Sequence, residues 1–432
     1  MILKSSLFLA IGLVSASFCQ SQRIITTDVD YFWKAYDKVS GVKDSALQAS
    51  LFKTWFIDKA SKGQQALFEV RNYQPEQYRN AINNYPAFWS SIRKNTLKAR
   101  SFEKEIRSNI AKLKALYPPL RLSDIYFGVG VFRTNGTIKN DMVLIGTEMA
   151  LSDKTVNIDN VPQHVKEFNR QNTPINDIGL LCTHEYVHTQ QNLPVDNLLS
   201  YCLYEGIAEF VSTFAINKPS YAPAIRFGAD NYEKVRNQFE EDIFITGRTY
   251  HWLWSSNQIF GFRDMGYSVG YEIAQRFYRQ AADKKAAIKQ LIELDYTDEA
   301  EVALVVNESH YLSKPLEQLY MEFEKNRPTV LKVEPAFNDQ NLVNPDTEIV
   351  TLFFSEPMDI KVRGFDFGPL GENNVLKVQE IIGFSEDKKR FSFKVKLEPG
   401  KEYQSLATNR FMSEKGYPLK PFLIHFRTAQ GK

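Results

Sequence analysis

The sequence predicts a multidomain α+β protein with a helical front, a mostly helical middle carrying a small sheet, and an all-β tail. Three observations carry this reading. The chain has 432 residues, about three times an average domain of roughly 150. Up to about residue 325, apolar side chains recur three and four apart, the spacing of one helix face. Beyond Asn326-Arg327-Pro328 the texture changes to short β-branched and aromatic runs separated by Pro, Gly, Asn and Asp.

Taken in order, Met1-Ile2-Leu3-Lys4 carries one positive charge, Leu7 to Val14 is apolar, and small residues lead to Gln20. This describes a cleaved secretory leader over 1–19, too short to span a bilayer. The protein is therefore expected outside the cell or in the periplasm or cell envelope. Lipoprotein processing at Cys19 wants a small residue where Phe18 stands, so a lipid anchor fits less well. From 20 to 117 the pattern is helical, as in Tyr31-Phe32-Ala35-Tyr36 and Phe102-Ile106-Ile110-Leu113, and Pro118-Pro119 ends it. Ile125 to Phe132 reads as a strand, Asn135-Gly136 as a turn, and Met142 to Ile145 as a second strand, so that the pair is a hairpin or two neighbouring strands. Helical spacing returns, with the longest amphipathic stretches at 176–191, 197–214, 267–282 and 315–325. In the tail, 328–432, Phe391-Ser392-Phe393-Lys394-Val395 alternates as a half-buried strand does.

Composition narrows the function classes. Fifty-three Lys plus Arg against 51 Asp plus Glu leave a formal charge of +2, with no basic block to follow a phosphate backbone, so nucleic acid is not an expected partner. Hydrophobic residues at 43% and aromatics at 13% exclude a disordered chain. No stretch after the leader is apolar enough for a transmembrane segment. Once Cys19 leaves with the leader, Cys182 and Cys202 cannot build a multi-disulfide framework; their apolar helical surroundings favour buried thiols over a bridge.

The chemistry lies in Leu181-Cys182-Thr183-His184-Glu185-Tyr186-Val187-His188-Thr189. Four residues is slightly more than one helical turn, so His184 and His188 project from one face and can bind a single zinc ion. Glu185 stands one step round the helix, where a carboxylate can take the proton of an attacking water. With six histidines in the chain, this spacing is a strong signal. A third ligand should be a His or carboxylate on a neighbouring element, and the next helical stretch offers Tyr204-Glu205-Gly206-Ile207-Ala208-Glu209. Glu205 and Glu209 share a face, so one can ligate while the other orients a ligating histidine. His164, His310 and His425 have no such surroundings and read as structural or surface residues.

These residues resemble the gluzincin metallopeptidases, whose members include thermolysin and the zinc aminopeptidases. The resemblance is confined to motifs within about 180–275. Glu205-Gly206-Ile207-Ala208 matches the family's Glu-Gly-x-Ala pattern, which implies one zinc per chain on His184, His188 and Glu205, with Glu209 behind the ligands. Gly266-Tyr267-Ser268-Val269-Gly270 is similar to the Tyr-x-x-Gly of the aminopeptidase branch and implies that the Tyr267 hydroxyl stabilises the oxyanion; the plain reading of Tyr267 is a core aromatic. His251 or Arg248 is the alternative oxyanion donor, by likeness to the cationic donor of thermolysin-like enzymes. The stretch Gly128 to Phe132 is expected as the edge strand that pairs with an extended substrate. Gly146-Thr147-Glu148 faintly resembles an exopeptidase motif but lacks its Met-Glu-Asn core, so no role is carried over.

A second resemblance covers about 328–428. Val330 to Pro335, Phe353-Phe354-Ser355-Glu356-Pro357-Met358-Asp359, Leu397 to Tyr403 and Phe426-Arg427-Thr428 follow the order of the bacterial Ig-like domain of surface-layer and secreted proteins. It implies a sandwich that contacts the cell surface or another protein. The expected organisation is a leader (1–19), a helical N-terminal region (20–117), a zincin-like, mostly helical catalytic region with a small edge sheet (118–326), and an all-β Ig-like sandwich (328–432). The expected activity is a secreted zinc metallopeptidase acting on peptide or protein, with Glu185 as general base. The alternatives are a zinc-dependent amide or ester hydrolase on cell-wall material and an inactive Ig-bearing surface binding protein.

Overall fold

The computed structural model describes residues 22–254, 259–335 and 342–430. The expected leader with Cys19 and the expected mature start near Gln20 lie outside the described residues. The chain is mixed α+β and divides into two compact units: one holds the residues up to Gln190 and Ser212–Tyr221, the other Gln191–Val211 and the residues from Ala222 on.

The first unit begins with β1 (Ile24–Ile25) and the helices α1 (Thr27–Val39), α2 (Ser45–Trp55), α3 (Lys62–Val70), α4 (Pro75–Asn84), α5 (Pro86–Thr96) and α6 (Glu103–Leu116). Local chemistry sets their starts. Asp44 accepts the Leu47 N–H ahead of α2, Ser61 accepts that of Gln64 ahead of α3, and Pro75 and Pro86 occupy first-turn positions where a missing N–H costs nothing. Their buried faces are aromatic: Phe32 meets Trp89 at 4.9 Å and Phe56 at 5.5 Å between ring centres, and Phe52 meets Tyr78 at 5.6 Å. Burial of such rings, in edge and tilted contacts, dominates the stability of this section.

β2 (Asp124–Gly128), β3 (Gly136–Lys139) and β4 (Met142–Gly146) follow, then α7 (Thr147–Ala150), α8 (Gln163–Gln171) and α9 (Ile178–His188). The sheet order is β1-β2-β4-β3. β1, β2 and β4 run parallel, and β3 lies antiparallel at the edge. Three expectations are corrected. The helical front contributes β1, a strand too short to leave a periodic signature. The strand expected to reach Phe132 stops at Gly128 and is interior, the edges being β1 and β3. Of the hairpin and the two neighbouring strands, the structure has the second, β2 beside β4 in parallel; Asn135-Gly136 is no hairpin turn, because Gly136 opens β3, and Asn140-Asp141 turns into β4 with Asn140 at φ 53°, a left-handed conformation that Asn tolerates.

The second unit contains the greater part of α10 (Leu198–Ile216), then α11 (Pro223–Asp230), α12 (Tyr232–Asp242), α13 (Arg248–Leu253), α14 (Met265–Gln280), α15 (Lys284–Ile292), α16 (Glu299–Ser309) and α17 (Leu316–Asn326). α14 packs against α11, α13, α15 and α16. It also crosses α10 at contact distance: a Cβ on Gly270 would stand 1.7 Å from the Cys202 carbonyl oxygen, and one on Gly206 would stand 2.2 Å from the Tyr271 nitrogen. Only glycine fits such an approach of two backbones.

The tail forms β5 (Val330–Glu334), β6 (Leu342–Val343), β7 (Ile349–Phe354), β8 (Phe365–Phe367), β9 (Val378–Phe384), β10 (Arg390–Val395), β11 (Glu402–Ala407) and β12 (Phe422–Thr428). They make two four-stranded sheets, β5-β7-β10-β9 and β6-β12-β11-β8. Leu352, Phe354, Phe391 and Phe393 from the first sheet share one buried core with Tyr403, Ile424 and Phe426 from the second. Alternating burial along β7 and β10 matches the alternating sequence. Among the described residues no helix is long and apolar enough to cross a membrane.

The α10–α14 crossing makes a direct prediction. Gly270→Ala must force the two backbones apart and should destabilise the protein by about 1–3 kcal/mol, the range for overpacking. A thermal midpoint equal to that of the wild type would contradict the crossing.

Candidate metal centre

α9 is buried along its whole length, from Ile178 to His188. A helix with no solvent face is held by what its polar groups touch. Thr183 donates to the Gly179 carbonyl at 2.7 Å. The Tyr186 hydroxyl accepts the Ser123 N–H at 2.8 Å and donates to the Arg121 carbonyl at 3.1 Å. The Ser123 hydroxyl donates to that of Thr189 at 2.8 Å. Gln190 accepts the Arg121 N–H, and the Arg121 guanidinium donates to the Thr189 carbonyl, both at 2.7 Å. The end of α9 is thus fastened to the residues that lead into β2.

This frame fixes the two imidazoles. His184 and His188 are 7% and 5% exposed, their Nε2 atoms are 3.0 Å apart, and their rings meet edge to face. Two nitrogens at about 2.0–2.1 Å from one tetrahedral ion would sit slightly farther apart than this. Their ring nitrogens converge, as the helical spacing requires. Among the described residues, one group of His, Cys, Asp and Glu could hold a metal ion: His184, His188 and Glu205, whose ligand atoms all lie within 4.8 Å of one another. Two imidazoles and a carboxylate are a donor set that suits a divalent metal ion.

Glu185 is 7% exposed and faces the edge strand. A Cβ on Gly136 would stand 2.4 Å from its Oε1 and 2.8 Å from its Cγ. Glycine at the start of β3 is what lets the strand lie against this carboxylate. Sequence reading took Gly136 for a turn residue, so this role went unseen.

In the second unit, Glu205 is half-buried on α10, and Glu209, one turn further on the same helix, is buried. Asp264, absent from the sequence reading, stands just before α14. Its carboxyl is pushed up to about 6 by burial, opposed by the Arg263 charge and raised further by that of Glu205. The buried Tyr296 phenol, to which Gln191 donates at 3.4 Å, is raised by its burial and by the Glu205 charge. Tyr267 is half-buried in the first turn of α14, its N–H bonded to the Asp264 carbonyl at 3.0 Å. Arg248 pairs with the buried Asp242 at 3.1 Å. With His251 it lines a cleft of about 430 Å³ whose other walls include Asp359, Ser413 and Lys415 and none of the metal group. Cys182 and Cys202 are free and buried, and burial raises both thiols.

No protein-family model matches the chain, and no curated protein matches it. Among solved structures it is similar to the surface layer protein SbsC, domains 1–6, at 11% identity and TM-score 0.19, over 63% of this chain and 38% of that one. The N-terminal part of the bacterial S-layer protein SbsC matches at 11% identity and TM-score 0.19, over 92% of this chain and 66% of the other. The S-layer protein rSbsC(31-844) gives 11%, 0.18, 94% and 45%. The chain spans 38% of the length of the first of these relatives, and a likeness at such TM-scores carries no statement about fold or activity.

The frame around α9 can be tested separately from any chemistry. Tyr186→Phe leaves the Ser123 N–H without its acceptor and should cost about 1–3 kcal/mol, read as a lower urea midpoint. Gly136→Ala should displace the Glu185 side chain. A crystal structure of that variant with β3 and Glu185 unmoved would contradict the contact described above.

Proposed function

We propose that this chain is a zinc-dependent metallopeptidase of the gluzincin type, exported by its leader and acting on a peptide or protein substrate. The single observation that carries the reading is the grouping of His184, His188 and Glu205 with a glutamate, Glu185, adjacent to the first of them on a buried helix. In this reading the catalytic region is 118–326, the helical region is 20–117, and the tail from 328 is an Ig-like module that contacts a surface or another protein.

His184, His188 and Glu205 would hold the zinc, with Glu209 supporting a ligand from behind. Zinc bound there supplies Lewis acidity and brings the pKa of a water towards neutrality. Glu185 takes the proton of the water that attacks the substrate carbonyl and passes it to the leaving amine. Tyr267 donates its phenolic O–H to the developing oxyanion. Burial of α9 keeps bulk water from competing for these groups and strengthens each electrostatic contact. β3 supports a peptide substrate in particular: within its sheet it pairs with β4 alone, so its other edge offers backbone donors and acceptors to an extended chain beside Glu185.

Two measurements test this. Elemental mass spectrometry of purified protein should find about one zinc per chain, lost or much weakened in His188→Ala and in Glu205→Ala. Glu185→Gln should keep its zinc and lose about 10²- to 10⁴-fold in hydrolysis of fluorescently labelled casein. A zinc-loaded wild type inert towards casein, denatured or native, would count against peptide hydrolysis. Metal-free protein after reconstitution would remove the whole reading.

A further inference from the structure

Between β2 and β3, residues 129–135 cross the unit without regular structure and deliver the chain to Gly136. Phe132, at φ 64°, holds a left-handed conformation that is unfavourable for a bulky side chain. Its ring is wedged against Tyr85, Phe88 and Trp89 at 5.5, 4.9 and 5.6 Å. Around this strained point stands one fully buried carboxylate, Glu148, in the turn of helix after β4. It accepts the N–H of Gly130 at 2.9 Å on Oε2 and that of Phe132 at 3.1 Å on Oε1. Its neighbour Thr147 donates to the Gly128 carbonyl at 2.8 Å.

We propose that Glu148 is a positioning residue for the reaction at Glu185: its ionised carboxylate, by accepting both N–H groups at once, holds the run into β3 and so sets Gly136 against the Glu185 side chain. The proposal rests on the peptidase reading. It does not depend on any family motif, since Glu148 here binds backbone of its own chain.

The grip depends on charge. A neutral carboxyl carries its proton on one oxygen and cannot accept well at both. Burial raises the Glu148 carboxyl to about 7, and the Gly130, Phe132 and Glu148 N–H groups oppose that rise. Among the described residues no cation pairs with it. The titratable groups around it are the phenols of Tyr73 and Tyr78, both raised by burial and by the Glu148 charge. Arg133 lies over the Tyr73 ring, and Arg71 and His164 bond Thr134 and the Phe132 carbonyl. Because the folded value lies above the ordinary 4.5, Glu148 favours the folded state fully below about 4.5, and that contribution is lost as pH rises through about 7. The form that grips the segment is therefore the form the fold disfavours.

The test is backbone hydrogen exchange of peptides covering 128–137, corrected for intrinsic rates, in the full-length wild type at pH 6 and pH 8. Glu148→Gln and Glu148→Asp are compared with it, alongside casein hydrolysis over the same range. A local opening that frees the Gly130 and Phe132 N–H groups while Glu148 stays buried takes from the ionised carboxylate the donors that hold its pKa down, so protection of this segment in wild type should rise about tenfold from pH 6 to pH 8 even as global stability falls. In Glu148→Gln it should be lower at pH 8 and independent of pH, with kcat down about 10- to 100-fold and KM little changed. Glu148→Asp, which keeps the charge on a shorter arm, should recover part of both. Wild-type protection that ignores pH would overturn the proposal without any variant having to fold, as would Glu148→Gln with unchanged protection and kcat. Wild type that shows the pH-dependent protection but hydrolyses nothing would defeat the positioning role through the peptidase reading, with the grip itself intact.

Discussion

A helix buried on every side, with two imidazoles and a carboxylate in its last turns, is the constraint on which the rest of this structure depends. Burial of His184, Glu185 and His188 removes water from groups that bind it strongly, and each must find a partner or lose several kcal/mol, on the order of that desolvation. The fold meets this by treating α9 as a fixed part. Tyr186, the residue between Glu185 and Val187, is tied to the chain at Arg121 and Ser123, and Thr189 and Gln190 close the same joint from the other side. With the helix end fixed, the imidazoles are directed to one point. That preorganisation is what a metal needs for tight binding and what a general base needs for reach.

The metal group was legible in the sequence because its geometry is local. Residues 184 and 188 share a helix face by virtue of 3.6 residues per turn, and no tertiary fact can undo that. Glu205 was legible only by resemblance, since nothing in a single chain says which of Glu205 and Glu209 faces the histidines. The edge strand was misplaced for the opposite reason. Strand order belongs to the sheet as a whole, and Asn135-Gly136 has the composition of a hairpin turn as fully as Asn140-Asp141 does. What separates the two is the Glu185 carboxylate: Gly136 is needed for a close approach to a residue far along the chain, beyond β4, α7 and α8, and composition cannot report a contact of that range.

Glu148 shows a further limit of sequence reading. Its partners are backbone N–H groups, which every residue but proline carries, so no residue pattern announces them. Its neighbours Gly146 and Thr147 invite comparison with an exopeptidase motif, and the structure gives the carboxylate a different task. Nor does the apolar run Met142 to Ile145 suggest that a buried acid follows so soon after it. Only the depth of the site, with β2 and β4 buried beyond their first residues, makes that acid consequential.

Features that oppose stability gather at one end of the small sheet. Phe132 is held left-handed, Glu148 is a carboxyl buried where its charge is disfavoured, and β3 lies so close to Glu185 that a single methyl group would not fit. The first two are each unfavourable alone by an amount on the order of 1–3 kcal/mol, and the third leaves no room for a side chain at Gly136. Set against them is the aromatic packing of Phe32, Phe52, Phe56, Tyr78, Phe88 and Trp89, all fully buried in the same unit, where large rings in close contact provide the compensating burial. A fold that needed only to be stable would relax these features, because apolar replacements for buried charge are commonly neutral or stabilising. Their concentration at the end of the sheet that meets Glu185, in a unit otherwise built of well-packed rings, supports the role proposed for that carboxylate.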